Sequence, residues 1–292
     1  EVHDVQRKDT DTFTLTSPLN GPISSDLSGL CDNFNMENVC LISDDFTLDK
    51  EQIFTDHVVL DKGVKVFLIN DADIIFDNGL TAVGTAEMPI SFQGDNTGGI
   101  LIRNRLGSDT STIKNVLIKN LAEVSMPFRK YTGAVNGFGG NFSIENFHIS
   151  DSLSEDQINL VNANVDIDTI NIEKSPSDAF DCDFCRGVIK SISVKNSDGD
   201  GLDLSGSDLT VKNFTANGIK DKGLSVGEAT KLEVEKAAFV NVGTGVAVKD
   251  GSSATINKII LRDVKFDGFM TYIKKPFYDG ITSLEVLDFD AD

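Results

Sequence analysis

The chain has no tryptophan, three histidines, three tyrosines, four cysteines and six prolines among its 292 residues. So few histidines disfavour imidazole chemistry, and so few large polar aromatics leave little to stack on sugars. No apolar run approaches the ~20 residues of a membrane-spanning helix; the longest are short blocks such as residues 64–69 and 74–76. Basic residues number 26 against 46 acidic ones, a formal charge of −20, and no basic stretch offsets it. Such a field repels phosphate and excludes nucleic acid as a natural partner. What is present is a 40% hydrophobic fraction with nineteen phenylalanines, enough to build a sizeable core.

Glu1 stands where an initiator methionine would, which suggests a secretory leader already removed or a trimmed terminus. Cys31/Cys40 and Cys182/Cys185 form two close pairs, which fits an oxidising compartment and a secreted, extracellular protein that could sit at the cell surface. The first pair, Cys31 and Cys40, could close a small loop in an N-terminal cap. The second has redox-pair spacing, but no helix follows it and no further soft ligands lie near for a metal, so packing or a local disulfide is the better reading.

Internal repetition organises the second half. Asp156-Gln-Ile-Asn-Leu-Val161 aligns with Asp178-Ala-Phe-Asp-Cys-Asp183, Asp200-Gly-Leu-Asp-Leu-Ser205, Lys222-Gly-Leu-Ser-Val-Gly227 and Thr244-Gly-Val-Ala-Val-Lys249. Every row is apolar at its third and fifth places, which means a strand with one buried face. A second strand follows (Val165/Ile167, Leu209/Val211, Leu232/Val234, Thr255/Ile256), and a third is marked by Ile170/Ile172, Ile192/Val194 and Phe214/Ala216. Rows that superimpose are best satisfied by coils stacked one above another, each strand paired in parallel with its equivalent. The expected fold is all-β, a right-handed parallel β-helix of roughly 22–24 residues per coil. A β-sandwich does not predict superimposable rows. Looser rows run back to about residue 44, so residues 44–292 read as one solenoid with a C-terminal cap formed by residues 284–289. Residues 1–43, with Pro18 and Pro22, read as an N-terminal cap over the open first coil.

At Ser177-Asp-Ala-Phe-Asp181, Gly199-Asp-Gly-Leu-Asp-Leu-Ser-Gly-Ser207, Asp221-Lys-Gly-Leu-Ser-Val-Gly-Glu228 and Gly245-Val-Ala-Val-Lys-Asp-Gly-Ser252 the chain resembles the β-helix repeat regions of exported microbial proteins. These belong to the pectate-lyase-like superfamily, and some accompany CotH-type kinase domains. The resemblance spans roughly residues 60–255 and implies the fold, while the fold itself hosts lyases, hydrolases, epimerases and non-catalytic surface proteins. The aspartate-pair and Gly-His-Gly patterns of polygalacturonase-like hydrolases do not occur here.

Residues alternating with the buried ones point outward, which brings Asp181, Asp183 and Asp203 together on one face. Beside them runs a turn column of Asp156, Asp178, Asp200 and Lys222. Converging carboxylates repel unless a cation intervenes, and calcium is the natural partner of an oxygen-only set. The candidate metal ligands are therefore Asp181, Asp183, Asp203, Asp200 and Asp198; turn-forming and solubilising roles are the alternative. In a calcium-dependent lyase or epimerase, Lys222 or Lys249 would abstract the proton beside a uronate carboxylate; an ion-pair ladder with Asp200, Asp250 and Glu228 is the better reading of both lysines. Asn141-Phe-Ser143 and Asn213-Phe-Thr215 match a glycosylation pattern that arises by chance in an Asn-rich chain.

Two functions follow. One is a non-catalytic structural or adhesive protein that self-associates through its solenoid ends, with the alternating segment of residues 10–16, Thr10 to Thr16, pairing with a neighbour's edge. The other is a calcium-dependent lyase or epimerase, or a binding module, acting on an anionic polysaccharide, with Arg103, Arg105, Lys114 and Lys119 as possible glycan contacts.

Overall fold

The computed structural model describes residues 31, 38–105, 109–126 and 129–292. The expected segment at residues 10–16 and most of the N-terminal cap lie outside them. The described chain is all-β and winds into a parallel β-solenoid of about ten turns.

Each turn contributes to three faces. The first face begins with Val39–Ile42, His57–Leu60 and Leu80–Val83 and ends with Ser283–Val286. The second begins with Phe46–Leu48, Lys65–Leu68 and Ile90–Gly94 and ends with Phe289–Ala291. The third stacks Gln52–Phe54, Ile74–Phe76, Ile100–Arg103, Gly133–Phe138, Asp156–Val161, Asp178–Asp183 and Leu202–Ser205. It continues through the ends of Asp208–Gly227 and Lys231–Lys249 to Phe269–Tyr272. Residues 284–289 thus reach the end of the solenoid as its last rung.

The start of the solenoid corrects one expectation. Cys40 does not belong to a cap that precedes the coils: it lies within Val39–Ile42, the first rung, in register with Val58 of the next strand. Its side chain is 1% exposed and points into the core beside Ile42, because alternation along this short strand turns both residues inward. Among the described residues the parallel pairing therefore already includes residue 39, ahead of the expected start near 44. The Cys31–Cys40 disulfide ties residue 31 to that rung.

The repeat appears in the register as expected. Phe180 pairs with Leu202, Leu202 with Leu224 and Leu224 with Val246, and all four are 0% exposed. One pair differs: the inward residues of the late first-face rung are Ala254 and Ile256, stacked on Leu232 and Val234, while Thr255 faces out. The coil is 22 residues from Asp178 to Asp200 but 31 from Gly84 to Asn115, where the loop at residues 84–89 is inserted.

Corners require a left-handed residue, and Asn, Asp and Gly tolerate it best. Asn120, Asp151, Asn196, Gly218, Asn241 and Asp263 recur at one corner with φ between 53° and 75°. Lys174, Phe184 and Glu228 adopt the same conformation without that tolerance, and all three lie beside functional surfaces described below. The glycine that opens each late third-face strand has a packing cause. A Cβ on Gly223 would lie 2.7 Å from the Phe239 ring, because phenylalanines of the second face fill that corner.

Candidate functional site

The outer side of the third face is covered at both ends. Toward the N-terminus, the antiparallel pair Val124–Met126 and Arg129–Tyr131 lies across it, packing Val124 and Tyr131 onto the outward Ile75 and Leu101. Asp73 fastens this hairpin by accepting the N–H groups of Gly99 and Ser125 at 2.8 and 3.0 Å. Toward the C-terminus, residues 274–282 fold back. Asp250 Oδ1 accepts the N–H groups of Lys274 and Lys275, both at 2.6 Å. Glu228 meets Lys275 and the Tyr278 hydroxyl, and Thr282 accepts the N–H of Gly251. The outward residues are therefore less exposed than simple alternation implies, and Asn136, Ser225 and Ala247 are fully buried.

Between these covers lies a strip of in-register side chains: Asn159, Asp181, Asp203 and Ser225, one per coil. Asn159 donates to Asp156 Oδ2 at 3.2 Å and Asp181 Oδ2 at 3.0 Å. Burial, reinforced by Asp183, Asp156, Asp203 and Asp178, pushes the Asp181 carboxyl up to about 9, so it holds its proton at neutral pH. Burial likewise raises Asp200 to about 7 despite Lys222, and Asp156 and Asp178 to about 6. Asp183 is also shifted upward, by burial and then by Glu228.

The turn column beside the strip is a ladder of carboxylates clamping the next coil. Asp178 Oδ1 accepts Asp200 N–H at 2.6 Å, a reach that Gly199 permits, since a Cβ there would stand 2.1 Å from that oxygen. Asp200 Oδ1 accepts the N–H of Lys222 at 2.9 Å and its ammonium at 3.2 Å. Burial opposes the charge on Lys222, but Asp221 and Asp200 together outweigh it and hold the side chain in the ammonium form above the ordinary lysine range. That is the reverse of what a proton-abstracting lysine needs. Lys249, 6% exposed, runs across Gly227 and donates to Ser225 Oγ at 2.8 Å, with its Nζ 3.8 Å from Asp203 Oδ1. A Cβ on Gly227 would stand 2.6 Å from Lys249 Cε, so that glycine clears the lysine's path.

The expected cation ligands separate. Asp178, Asp200 and Asp203 bring carboxylate oxygens within 4.8 Å of one another. Asp181 lies in the strip and Asp183 in the next column, with Val161 and Ser205, and neither belongs to that group. Asp198 is exposed and turns away to Lys220 at 2.7 Å, because the neighbouring ammonium one coil on draws it outward. Both cysteine pairs are disulfide-bonded, Cys31 to Cys40 and Cys182 to Cys185. Only the second touches the site, where it fastens the turn that follows Asp181 and Asp183; Cys40 serves the first rung. The basic group Arg103, Arg105, Lys114 and Lys119 is individually paired: both arginines to Asp77, Lys114 to Glu145 and Lys119 to Asp151. Sequence reasoning did not place Lys275 and Tyr278, which lie in a segment without a repeat register.

No protein-family model matches the chain, and no curated protein matches it. Among solved structures, the catalytic domain of a GH87 α-1,3-glucanase in complex with tetrasaccharides is similar at 10% identity and a TM-score of 0.32. The match covers 82% of this chain and 64% of that one, less than two thirds of its length.

Proposed function

We propose that the acidic strip is the reaction centre of a polysaccharide-active enzyme that breaks a glycosidic bond by general acid–base chemistry. The observation that carries this reading is the pair Asp181 and Asp203. They are in register on adjacent strands, one holding a proton at neutral pH and the other beside the Lys249 ammonium. Two carboxyl groups in unlike environments can divide the acid and base roles. Asp181 gives its proton to the glycosidic oxygen as the C–O bond breaks. Asp203 takes a proton from the water whose oxygen bonds to the anomeric carbon, and a proton returned from Asp203 to Asp181 through solvent closes the cycle. Asp178, Asp183, Asp200, Asp203 and Glu228 outnumber Lys222, Lys249 and Lys275, so the surroundings are acidic, which favours an uncharged sugar at the point of cleavage.

Calcium would find an oxygen set at Asp178, Asp200 and Asp203. Asp178 already clamps a backbone N–H and Asp200 already holds Lys222, so the cation would have to displace that ammonium, and this mechanism routes no step through it. The two disulfides are in keeping with secretion.

The test is incubation with neutral glucans, mannans and xylans and with uronate polymers, following both new reducing ends and unsaturated products. Reducing ends from a neutral polymer, falling by about 100-fold or more in Asp181→Asn, are expected. Unsaturated products from a uronate polymer would restore the lyase reading, and a blank panel would remove catalysis.

One observation favours the structural or adhesive reading. Phe266, Phe277, Ile281, Leu287 and Phe289 are each more than half exposed near the last rungs. A patch of this kind suits self-association, and sedimentation that finds only monomers at high concentration would count against it.

A further inference from the structure

The second face carries a separate cavity of about 540 Å³, within the size range of small-ligand sites. Its floor is two columns of outward side chains. Leu117, His148 and Asn171 form one, and Lys119, Ser150, Glu173 and Lys195 the other. The inserted loop at residues 84–89 overhangs it with Thr85, Ala86 and Pro89. That loop is braced: Asn115 Nδ2 donates to Gly84 O at 3.0 Å, and Asn146 Nδ2 donates to Asn115 Oδ1 at 3.1 Å.

The charges are unequal. Glu173 is taken by Lys195 at 3.0 Å. Asp151 is shared, 2.6 Å from Lys174 and 3.7 Å from Lys119. Three ammonium groups thus face two carboxylates, and Lys119 is the one least neutralised, in a chain whose formal charge is −20. Beside it, only burial and neighbouring charges act on His148, with no hydrogen bond to its ring among the described residues, and Asn171 lines the cavity next to it in the same column. Both side chains line the cavity, where their polar atoms are open to a ligand.

We propose that this cavity binds an acidic saccharide unit, its carboxylate seated between Lys119 and His148 and its hydroxyls on the Asn171 amide. Leu117 and Pro89 offer apolar surface to the sugar ring. The site lies on a different face from the acidic strip, so it anchors a glycan rather than cutting it, and it does not rest on the catalytic reading. Burial, with Lys195 and Lys119 assisting and Glu173 and Asp151 opposing, holds His148 below the ordinary imidazole range; Lys174 completes the charged surroundings. A bound carboxylate reverses that balance, so the imidazole takes up a proton on binding and affinity strengthens as pH falls.

The experiment uses Asp181→Asn, so that turnover cannot consume the probe, and follows the His148 ring signals by NMR. Trisaccharides of galacturonate, mannuronate and glucuronate are titrated in turn, with a glucose trisaccharide as the neutral probe. At least one uronate is expected to shift the His148 signals saturably and raise its titration midpoint, with ten-fold or greater weakening in Lys119→Gln. No shift with any uronate up to millimolar concentration overturns the site. An equal response to the glucose trisaccharide overturns its preference for acid, as does an unchanged midpoint at saturation.

Discussion

Replacing Asp181 with asparagine should stabilise the protein, and the gain should grow with pH. In the unfolded chain an aspartate ionises near 3.8, whereas burial among four other carboxylates raises the folded value to about 9. Between those values the native state holds a proton that the unfolded state releases, so stability falls as pH rises through that window. At pH 8 the gap of roughly 4 pK units sets a ceiling near 6 kcal/mol at about 1.36 kcal/mol per unit. Neighbouring carboxylates share the retained protons, and asparagine must keep the contact to Asn159, so the expected gain is about 1–3 kcal/mol. In a chain of this size that is a rise in Tm of about 2–10 °C at pH 8, shrinking toward zero near pH 4. Thermal unfolding of both proteins at the two pH values is the assay. A destabilised variant, or a shift of equal size at both pH values, would show that Asp181 is not a carboxyl held in its protonated form.

By the same sign, raised Asp156, Asp178 and Asp200 should give the unmodified protein a Tm that climbs as pH falls from about 7 toward 4, read by calorimetry. Gly227→Ala should displace the flexible Lys249 stem from Ser225, lowering glycan cleavage while changing stability by less than about 1 kcal/mol. Asp250→Ala strands two N–H groups and should cost about 1–3 kcal/mol, with faster hydrogen exchange confined to residues 273–282. Phe239→Ala removes the ring that packs edge-on to Phe214 at 4.8 Å, and should cost about 3–5 kcal/mol in denaturant unfolding.

The solenoid was legible because its cause is local and repeated. Alternation at Phe180/Cys182 and Leu202/Leu204 states which face is buried, and identical rows can satisfy their backbones only by stacking. The turn aspartates were legible for the same reason: one register places all of them. Asp198 was misplaced because sequence spacing cannot show that the Lys220 ammonium one coil on draws its carboxylate away. Cys40 was assigned to the cap because a four-residue rung has too little alternation to align with later rows.

Sequence alone determined the coil, its core and the column of acids, since each follows from a short period repeated along the chain. Only the tertiary structure decided what those acids experience. The hairpin near Val124 and the segment carrying Lys275 and Tyr278 have no period, yet they flank the strip at its two ends. Burial of the strip, rather than its composition, holds the proton on Asp181, and burial is a property of segments brought together from distant parts of the chain.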